Sequence, residues 1–155
     1  MATILPVPFH PQESDAGCVL ACAQMMLAFL GIRRSQPELA RVLGVDPLVG
    51  TPGPRLRRLN SPDLEVVYTE GELSAVENWL EQRLPVMMFV QTAQLDYWEG
   101  LRSQHAIVVI GLDEKNATIL DPVFPASENP KQILRLELQV ASGWMRHRYV
   151  VIRRR

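Results

Sequence analysis

A cysteine at the beginning of a long apolar segment is the first residue of this sequence whose type and position suggest chemistry. Cys18 lies where a proline-rich stretch gives way to the apolar residues 19–30, so it falls in the first turn of the helix predicted there. Free N–H groups and the positive end of the helix dipole favour a thiolate at that position, and the thiolate is the reactive form of cysteine. Taken alone, Cys18 is also explained as a small buried apolar side chain. Cys22, one turn further along, is expected to pack in the core.

A histidine and an aspartate lie at the two ends of a predicted β-hairpin. His105 begins the most strongly apolar predicted strand, residues 105–112, and Asp121 closes the strand that follows it, residues 117–120. The pKa of imidazole suits proton transfer near neutrality, and a carboxylate can fix the orientation of the ring. Because the two ends of an antiparallel hairpin meet in space, these side chains are expected to lie near each other.

The loop of this hairpin decides whether the two side chains share a face of the sheet. A four-residue loop over residues 113–116 would pair Asp121 with Val108 and turn its side chain away from the face of His105. A loop of three or five residues, with Asn116 left-handed in a bulge, would put both on one face. The chemistry requires the odd-length loop, and we therefore predict it.

A glutamine upstream of the cysteine is a fourth residue whose side chain could take part in the same chemistry. Gln12 lies six residues before Cys18, and its amide can donate a hydrogen bond to negative charge developing on a carbonyl oxygen. The backbone N–H of Cys18 can supply a second donor. A thiol, an imidazole, a carboxylate and an amide donor are the groups required for acyl transfer through a thioester, a reaction that needs no cofactor and no metal.

The elements that must position these residues predict an α+β fold. Helices dominate the first part of the chain and strands the second, without the regular alternation of a parallel sheet. Prolines at positions 6, 8 and 11 make residues 1–12 extended, and the proline- and arginine-rich residues 46–63 are expected to form a long surface connection. The other predicted elements are helices at 17–30, 37–43 and 72–83, and strands at 64–69, 86–91, 105–112, 117–120 and 149–153.

Two segments resemble the motifs of papain-like cysteine peptidases. The first is Gln12 to Gly31, and it is similar to the bacterial branch that removes double-glycine leader peptides from bacteriocin precursors, with the same Gln-x5-Cys and Cys-x3-Cys spacings. The second runs from His105 to Asp113 and continues with Leu120-Asp121-Pro122. The resemblance implies a papain-like fold whose helical half packs on an antiparallel sheet, with the active site between them. It also implies Cys18 as nucleophile, His105 as base, Asp121 as orienting acid and Gln12 as oxyanion donor.

Two residues beside the cysteine depart from that branch, which usually has Asp before it and Gly after it. Here these positions hold Gly17 and Val19. The resemblance therefore supports the chemistry more strongly than it supports cleavage after double glycine. Tyr97 and Trp98, shortly before the histidine, are interpreted as walls of a substrate groove or as residues that pack beneath their loop.

Three other functions fit some of the same residues. A catalytically inactive relative would bind peptides without cutting them, and a deamidase, transglutaminase or acyltransferase would use the same thioester with another acyl acceptor. A metal site formed by His10, Cys18, Cys22 and His105 is the third alternative, although their spacing matches no compact zinc pattern.

Composition limits the remaining function classes. The 155 residues fit one papain-like domain, residues 1–155, with a helical half over about 1–62 and a sheet half over about 63–155. The net charge of −1 gives no reason to expect a nucleic-acid partner, and the longest apolar run is too short to span a membrane. No signal peptide and no Gly-x4-Gly-Lys-Ser/Thr motif are present, so we expect a cytoplasmic protein that is not fused to an exporter. A peptide or protein is the expected partner, and the oligomeric state stays open.

Overall fold

The computed structural model describes residues 3–155 and consists of a six-stranded antiparallel sheet with helices against both faces. The strand order is β1-β6-β2-β3-β4-β5, and every neighbouring pair runs antiparallel. The helices are α1 (Cys18–Phe29), α2 (Gln36–Leu43), α3 (Leu73–Glu81) and α4 (Arg135–Gly143). The strands are β1 (Leu64–Glu70), β2 (Val86–Gln91), β3 (Gln104–Leu112), β4 (Asn116–Leu120), β5 (Lys131–Leu134) and β6 (Arg148–Arg154). The predicted α+β fold is confirmed.

Helix α1 is buried on most of its surface, as its sequence predicts for a segment that is apolar on nearly every side. It ends before Gly31, whose φ of 81° is in the left-handed region where a glycine costs least. Its first turn carries no acidic residue and no side-chain cap. The positive end of the helix is therefore not neutralised by a neighbouring carboxylate, and Cys18 is the residue at that end.

The sheet separates two apolar cores because successive side chains of a strand point to opposite faces. In β3, Ala106, Val108 and Ile110 pack in the core that contains α1 and α2. Ile107 and Val109 pack in the other core, against residues of α3 and α4. His105, which is the second residue of β3, lies at the end of the strand, where the cores give way to the surface.

The β3–β4 hairpin contains a bulge at Ile110. Near the turn, Leu112 pairs with Ala117, so the loop between them has the four residues 113–116. Beyond the bulge Val109 pairs with Ile119, and Ile110 has no partner in β4. Its carbonyl instead accepts a hydrogen bond from the N–H of Leu5, at 2.9 Å, which ties the extended N-terminal arm to the sheet.

Two predictions about this hairpin are therefore wrong. Counted from the pair Leu112–Ala117, the connection has an even number of residues, with Asn116 already in β4, and Asn116 does not have a positive φ. The register is changed by the additional residue in β3, which has the same effect on the face of Asp121 as an odd-length loop. The sequence signal for this bulge is Gly111, next to Ile110, because an isolated glycine inside a strand pattern often marks a bulge.

Residues 46–63 were expected to be a surface connection, which is wrong for their second part. Gly53–Leu59 form a 3₁₀ helix, and Leu56 is completely buried in the core with α1. The arginines that suggested exposure have a structural role: Nη1 of Arg58 donates to the carbonyl of Leu43 at 3.1 Å, at the C-terminus of α2.

The sequence also did not predict β5 and α4, which follow one another directly. Strand β5 has only four residues, and α4 has an exposed side that carries Leu136 and Val140, so neither shows the usual pattern. Among residues 3–155, no helix is both long and apolar enough to cross a membrane.

Candidate active site

Cys18 is partly exposed at the N-terminus of α1 and contacts the end of β3. Burial of the sulfur raises its pKa, but the hydrogen bond to His105, the charge of that ring and hydrogen bonds from the backbone of Ala106 and Val19 outweigh this effect. The net result is a pKa below the ordinary value of 9.0. The fold thus favours a thiolate at this position.

His105 is held between the sulfur and a buried carboxylate. Its Nε2 lies 2.7 Å from Oδ1 of Asp121, so Nδ1 is the ring nitrogen left for Cys18. Burial lowers the pKa of His105, but the hydrogen bonds to Asp121 and Cys18 and the charges of both groups raise it from 6.5 to about 9. Side chains with shifts in these directions form a thiolate–imidazolium pair near neutral pH.

Asp121 is completely buried, and four hydrogen-bond donors surround its carboxylate. Oδ1 accepts from Val123 N at 3.1 Å in addition to the ring of His105. Oδ2 accepts from the phenol of Tyr97 at 2.6 Å and from the indole Nε1 of Trp98 at 3.0 Å. Burial raises the pKa of Asp121, but the hydrogen bonds and the charge of His105 bring it below its usual value.

Of the two places that the sequence suggested for Tyr97 and Trp98, a groove wall is excluded, and both side chains instead pack against the core. They do not line the cleft beside Cys18; they contact the side of Asp121 that faces away from His105. Their adjacency in a loop before a histidine was visible in the sequence, but the contact with Asp121 depends on how the loop folds back over the sheet.

Gln12 lies on the loop that precedes α1. Its backbone N–H donates to the carbonyl of Pro122 at 2.9 Å, which places the loop next to Asp121. Its side-chain Nε2 donates to the carbonyls of Ser14 at 2.9 Å and Asp15 at 3.3 Å. Its Oε1 is buried and has no hydrogen-bond partner among residues 3–155. The loop of Gln12 is thus next to Asp121, but the Nε2 of Gln12 is engaged with its own loop.

A cleft of about 270 Å³ opens beside Cys18 and His105. The segment from Val49 to Pro54 lines it, as do Tyr68 and Phe89, whose rings meet edge to face with centroids 6.2 Å apart. Gly53 packs directly against these rings, because a Cβ there would lie 2.8 Å from Tyr68 and 2.9 Å from Phe89. The remaining lining residues are Val19, Gln104, Ala106, Met145 and Arg148.

The two departures beside Cys18 have physical explanations. A Cβ at Gly17 would lie 2.9 Å from Oγ and 3.1 Å from the carbonyl oxygen of Ser14, so the turn that leads into α1 has no room for a side chain. Val19 is 4% exposed, and most of its side chain is therefore in the core and not in the cleft.

Cys22 has the structural position that was expected. It is completely buried, its Sγ contacts the carbonyl of Ala106 at 3.5 Å, and burial raises its pKa well above the ordinary value. No group of three or more histidine, cysteine, aspartate or glutamate side chains within residues 3–155 is arranged to hold a metal ion.

Comparison with known proteins gives one family and several solved structures. Residues 4–150 match the family described as Peptidase_C39 like. A protein described as a C39-like peptidase from Bacillus anthracis has a TM-score of 0.80 and 21% identity, covering 100% of this chain and 98% of that one. No curated protein sequence gives a significant match.

Two further structures have the same fold. The peptidase domain of Streptococcus ComA, a bifunctional ABC transporter of a quorum-sensing pathway, has a TM-score of 0.71 and 15% identity over 92% of this chain and 95% of that one. A double-glycine motif protease from an AMS/PCAT transporter, in complex with the leader peptide, has a TM-score of 0.70 and 16% identity over 98% and 94%.

Proposed function

Since this chain belongs to the Peptidase C39-like family, we propose that it is a cysteine peptidase that cleaves a peptide substrate with Cys18, His105 and Asp121. The observation that carries the proposal is the His105–Asp121 pair at 2.7 Å, whose ring lines one open cleft together with Cys18 and lowers the pKa of its thiol. A buried thiol without this partner would have its pKa raised, as Cys22 does.

The reaction begins with the Cys18 thiolate, which attacks the carbonyl carbon of the scissile amide and forms a C–S bond. The carbonyl oxygen becomes negatively charged, and backbone N–H groups at the start of α1 are the nearest donors for it. When the C–N bond breaks, Nδ1 of the His105 imidazolium gives its proton to the leaving amine, and a thioester remains on Cys18.

Water completes the cycle. Neutral His105 accepts a proton from the water that attacks the thioester, the C–S bond breaks, and a carboxylic acid product leaves the regenerated thiolate–imidazolium pair. Asp121 remains ionised throughout and holds the ring with Nε2 toward the protein interior and Nδ1 toward the sulfur. No cofactor takes part in any of these steps.

Gln12 is the proposed second donor to the oxyanion. Its Nε2 carries two hydrogens, and the adjacent carbonyls of Ser14 and Asp15 can share one of them. The other is then available to the substrate. The position of Gln12, joined through its backbone to Pro122, is close enough to the triad for this role to be tested by substitution.

A peptide is the proposed substrate class, in agreement with the leader-peptide complex of one structural neighbour. The cleft has both an apolar part, with Tyr68, Phe89 and Met145, and a polar part, with Gln104 and Arg148. This mixed lining suits a peptide, whose apolar side chains and polar backbone can both contact the cleft. Cleavage after double glycine is one outcome that peptide profiling can identify.

Active-site labelling followed by peptide profiling tests the proposal. A peptide epoxide or vinyl sulfone should modify the wild-type protein and Cys22→Ala on the same residue, and should leave Cys18→Ala unmodified. Cys18→Ala should also lose all peptide cleavage while its melting temperature stays nearly unchanged. Absence of probe labelling from the folded wild-type protein would overturn the proposed nucleophile.

The engagement of Gln12 with its own loop favours one alternative, a family member that binds peptides without cleaving them. Peptide profiling distinguishes the two. A non-cleaving protein would bind peptides equally well as the wild type and as the Cys18→Ala variant, and would release no product in either form. A deamidase or acyltransferase would be recognised by the product, since ammonia or an acylated amine would replace the cleaved peptide.

A further inference from the structure

The outer oxygen of Asp121 is held by two aromatic residues that the proposed reaction does not otherwise use. Tyr97 donates its phenol proton to Oδ2 at 2.6 Å, and Trp98 donates its indole proton to the same atom at 3.0 Å. Oδ1 is thereby left to His105 and to Val123 N. Each oxygen of the carboxylate has two donors, so a rotation of the group would break several hydrogen bonds at once.

The loop that carries these residues, residues 92–103, is itself firmly anchored, and we call it the aromatic loop. Leu95 is completely buried. Oγ1 of Thr92 donates to the carbonyl of Leu101 at 2.6 Å, closing the loop at its base. Glu137 of α4 accepts a hydrogen bond from the N–H of Asp96 at 2.9 Å. A loop fixed in this way can hold its donors in place before substrate binds.

The rings of the aromatic loop also enclose the carboxylate and the imidazole. The Trp98 ring meets the His105 ring edge to face, with centroids 5.1 Å apart. Phe124 packs against both Tyr97 and Trp98, at 5.3 and 5.7 Å. His105 is only 6% exposed as a result. Hydrogen bonds in such a water-poor environment are stronger than at the surface.

We propose that Tyr97 and Trp98 are positioning residues for His105, which act through Asp121 by fixing the orientation of its carboxylate and sharing its negative charge. Their importance for catalysis depends on the proposed function, whereas their effect on the His105–Asp121 pair is a property of the folded protein. Neither residue lines the cleft, and neither is expected to contact the substrate.

Loss of a donor to Oδ2 should shift the pKa of His105 in one direction only. Donors on Oδ2 stabilise the carboxylate and reduce its strength as an acceptor for His105. When a donor is removed, the Asp121 carboxylate interacts more strongly with the imidazolium of His105. The charged form of His105 is then favoured. The pKa of His105 should therefore rise in a protein that lacks the Tyr97 hydroxyl.

The other charged groups around these residues are few. Lys131 of β5 places its Nζ 4.6 Å from the centroid of the Tyr97 ring, and Glu137 of α4 lies beside the backbone of the aromatic loop. Cys18 faces His105, and buried Cys22 lies close enough to sense the charge of Asp121. Tyr97 does not contribute a charge of its own, since burial and the negative charge of Asp121 raise its pKa. Substituting Tyr97 by Phe leaves all these charges unchanged.

The test is a titration of the His105 ring by two-bond ¹H–¹⁵N NMR in the full chain, with no substrate present. The Tyr97→Phe variant should raise the pKa of His105 by roughly half a unit or more, as expected for loss of a hydrogen bond to the partner anion. Tyr149→Phe is the matched control: it removes a buried hydroxyl, here one that accepts from Nε1 of Trp79 at 3.1 Å, and should leave His105 unchanged.

Trp98→Phe keeps one aromatic ring and removes the second donor, so it should change the pKa of His105 in the same direction. In peptide cleavage assays both variants should lower kcat and leave KM nearly constant, since a structural defect in the cleft would change KM instead. If the Trp98 variant does not fold, the pKa of His105 in Tyr97→Phe is sufficient to test the proposal.

The proposal is overturned if the pKa of His105 in Tyr97→Phe is unchanged or falls. A rise in that pKa combined with no cleavage of any peptide would support the positioning role and count against the peptidase function. Normal peptide cleavage with an unchanged pKa of His105 would support the peptidase function and count against the positioning role.

Discussion

The carboxylate of Asp121 lies 2.7 Å from Nε2 of His105 because β3 contains one residue that β4 does not match. Ile110 is that residue, and it shifts the pairing so that Val108 is opposite Leu120. Continued by one residue, this register puts Asp121 opposite Ile107, on the face that His105 shares. The carbonyl of Ile110, the bulged residue, accepts a hydrogen bond from the N–H of Leu5, so the N-terminal arm is attached to the sheet at the bulge.

The two cysteines should differ strongly in reactivity toward iodoacetamide. Cys18 should be alkylated well below pH 9, because His105 and two backbone N–H groups lower the pKa of its thiol. Cys22 should stay unmodified in the folded protein, because it is completely buried and its pKa is raised. Mass spectrometry of the labelled peptide as a function of pH measures both.

His105→Ala should move the alkylation of Cys18 to higher pH, because it removes the ring whose hydrogen bond and charge most lower the pKa of the thiol. The Cys18→Ala variant controls for labelling of Cys22. Equal and slow modification of the two sulfurs in the native protein would contradict a reactive thiolate.

Peptide cleavage should be greatest between the lowered pKa of Cys18 and the pKa of His105 at about 9, so a plot of kcat/KM against pH should be bell-shaped. Asp121→Asn should shift the basic side of this curve to lower pH, because the charge that raises the pKa of His105 is removed. The curve reports the coupled pair, so its two sides belong to the pair and not to single residues. A basic side that stays near pH 9 in Asp121→Asn would show that Asp121 does not control His105.

The stability of the fold should fall at high pH through His105. Its pKa is raised from 6.5 to about 9, so its contribution is complete below pH 6.5 and is lost as pH rises through 9. Asp121 behaves in the opposite way: its pKa is lowered, so its contribution is complete above about 3.8 and is lost as the pH falls.

Urea unfolding of Cys18→Ala with and without His105→Gln isolates the His105 contribution, because Cys18 titrates in the same range and in the opposite direction. The difference in unfolding free energy between the two proteins should shrink from pH 6 to pH 10. A difference that does not vary with pH would argue against the raised pKa.

Gly53→Ala should impair substrate binding more than chemistry. The added Cβ would lie 2.8 Å from Tyr68 and 2.9 Å from Phe89, so these rings must move, and both line the cleft. We expect a several-fold rise in KM with little change in kcat, measured on the best peptide from profiling. Gly143→Ala is the matched control, since its Cβ would meet the nearest atom, on His147, at 3.4 Å. Equal effects of the two substitutions would mean that Gly53 has no special place in the cleft.

Gln12→Ala should lower kcat by a factor on the order of 10² to 10³ if its amide stabilises the oxyanion. Gln82→Ala is the control, because that amide is exposed just after the end of α3 and donates to the carbonyl of Asn78 at 3.2 Å. A loss of less than tenfold in Gln12→Ala would assign the amide to its loop, where it already bonds Ser14 and Asp15.

Much of the fold could be predicted because the pattern of each element is local. Helix α1 and strand β2 were predicted within one residue, since an apolar segment ended by Gly31 and a run of apolar residues before Gln91 each allow one reading. Helix α4 was missed because it exposes Leu136 and Val140, so its apolar residues do not form a single buried face.

The sequence by itself determined which side chains are available for chemistry: a thiol at a helix start, an imidazole at a strand end and an acid at the end of the next strand. Their types and order along the chain are local facts. Only the tertiary structure decided that they meet, and that Tyr97 and Trp98 close around Asp121. The contact of His105 with Asp121 depends on a bulge at Ile110, and a bulge is a property of strand pairing. Neither strand alone has a register, so only the folded sheet can fix the face on which a side chain lies.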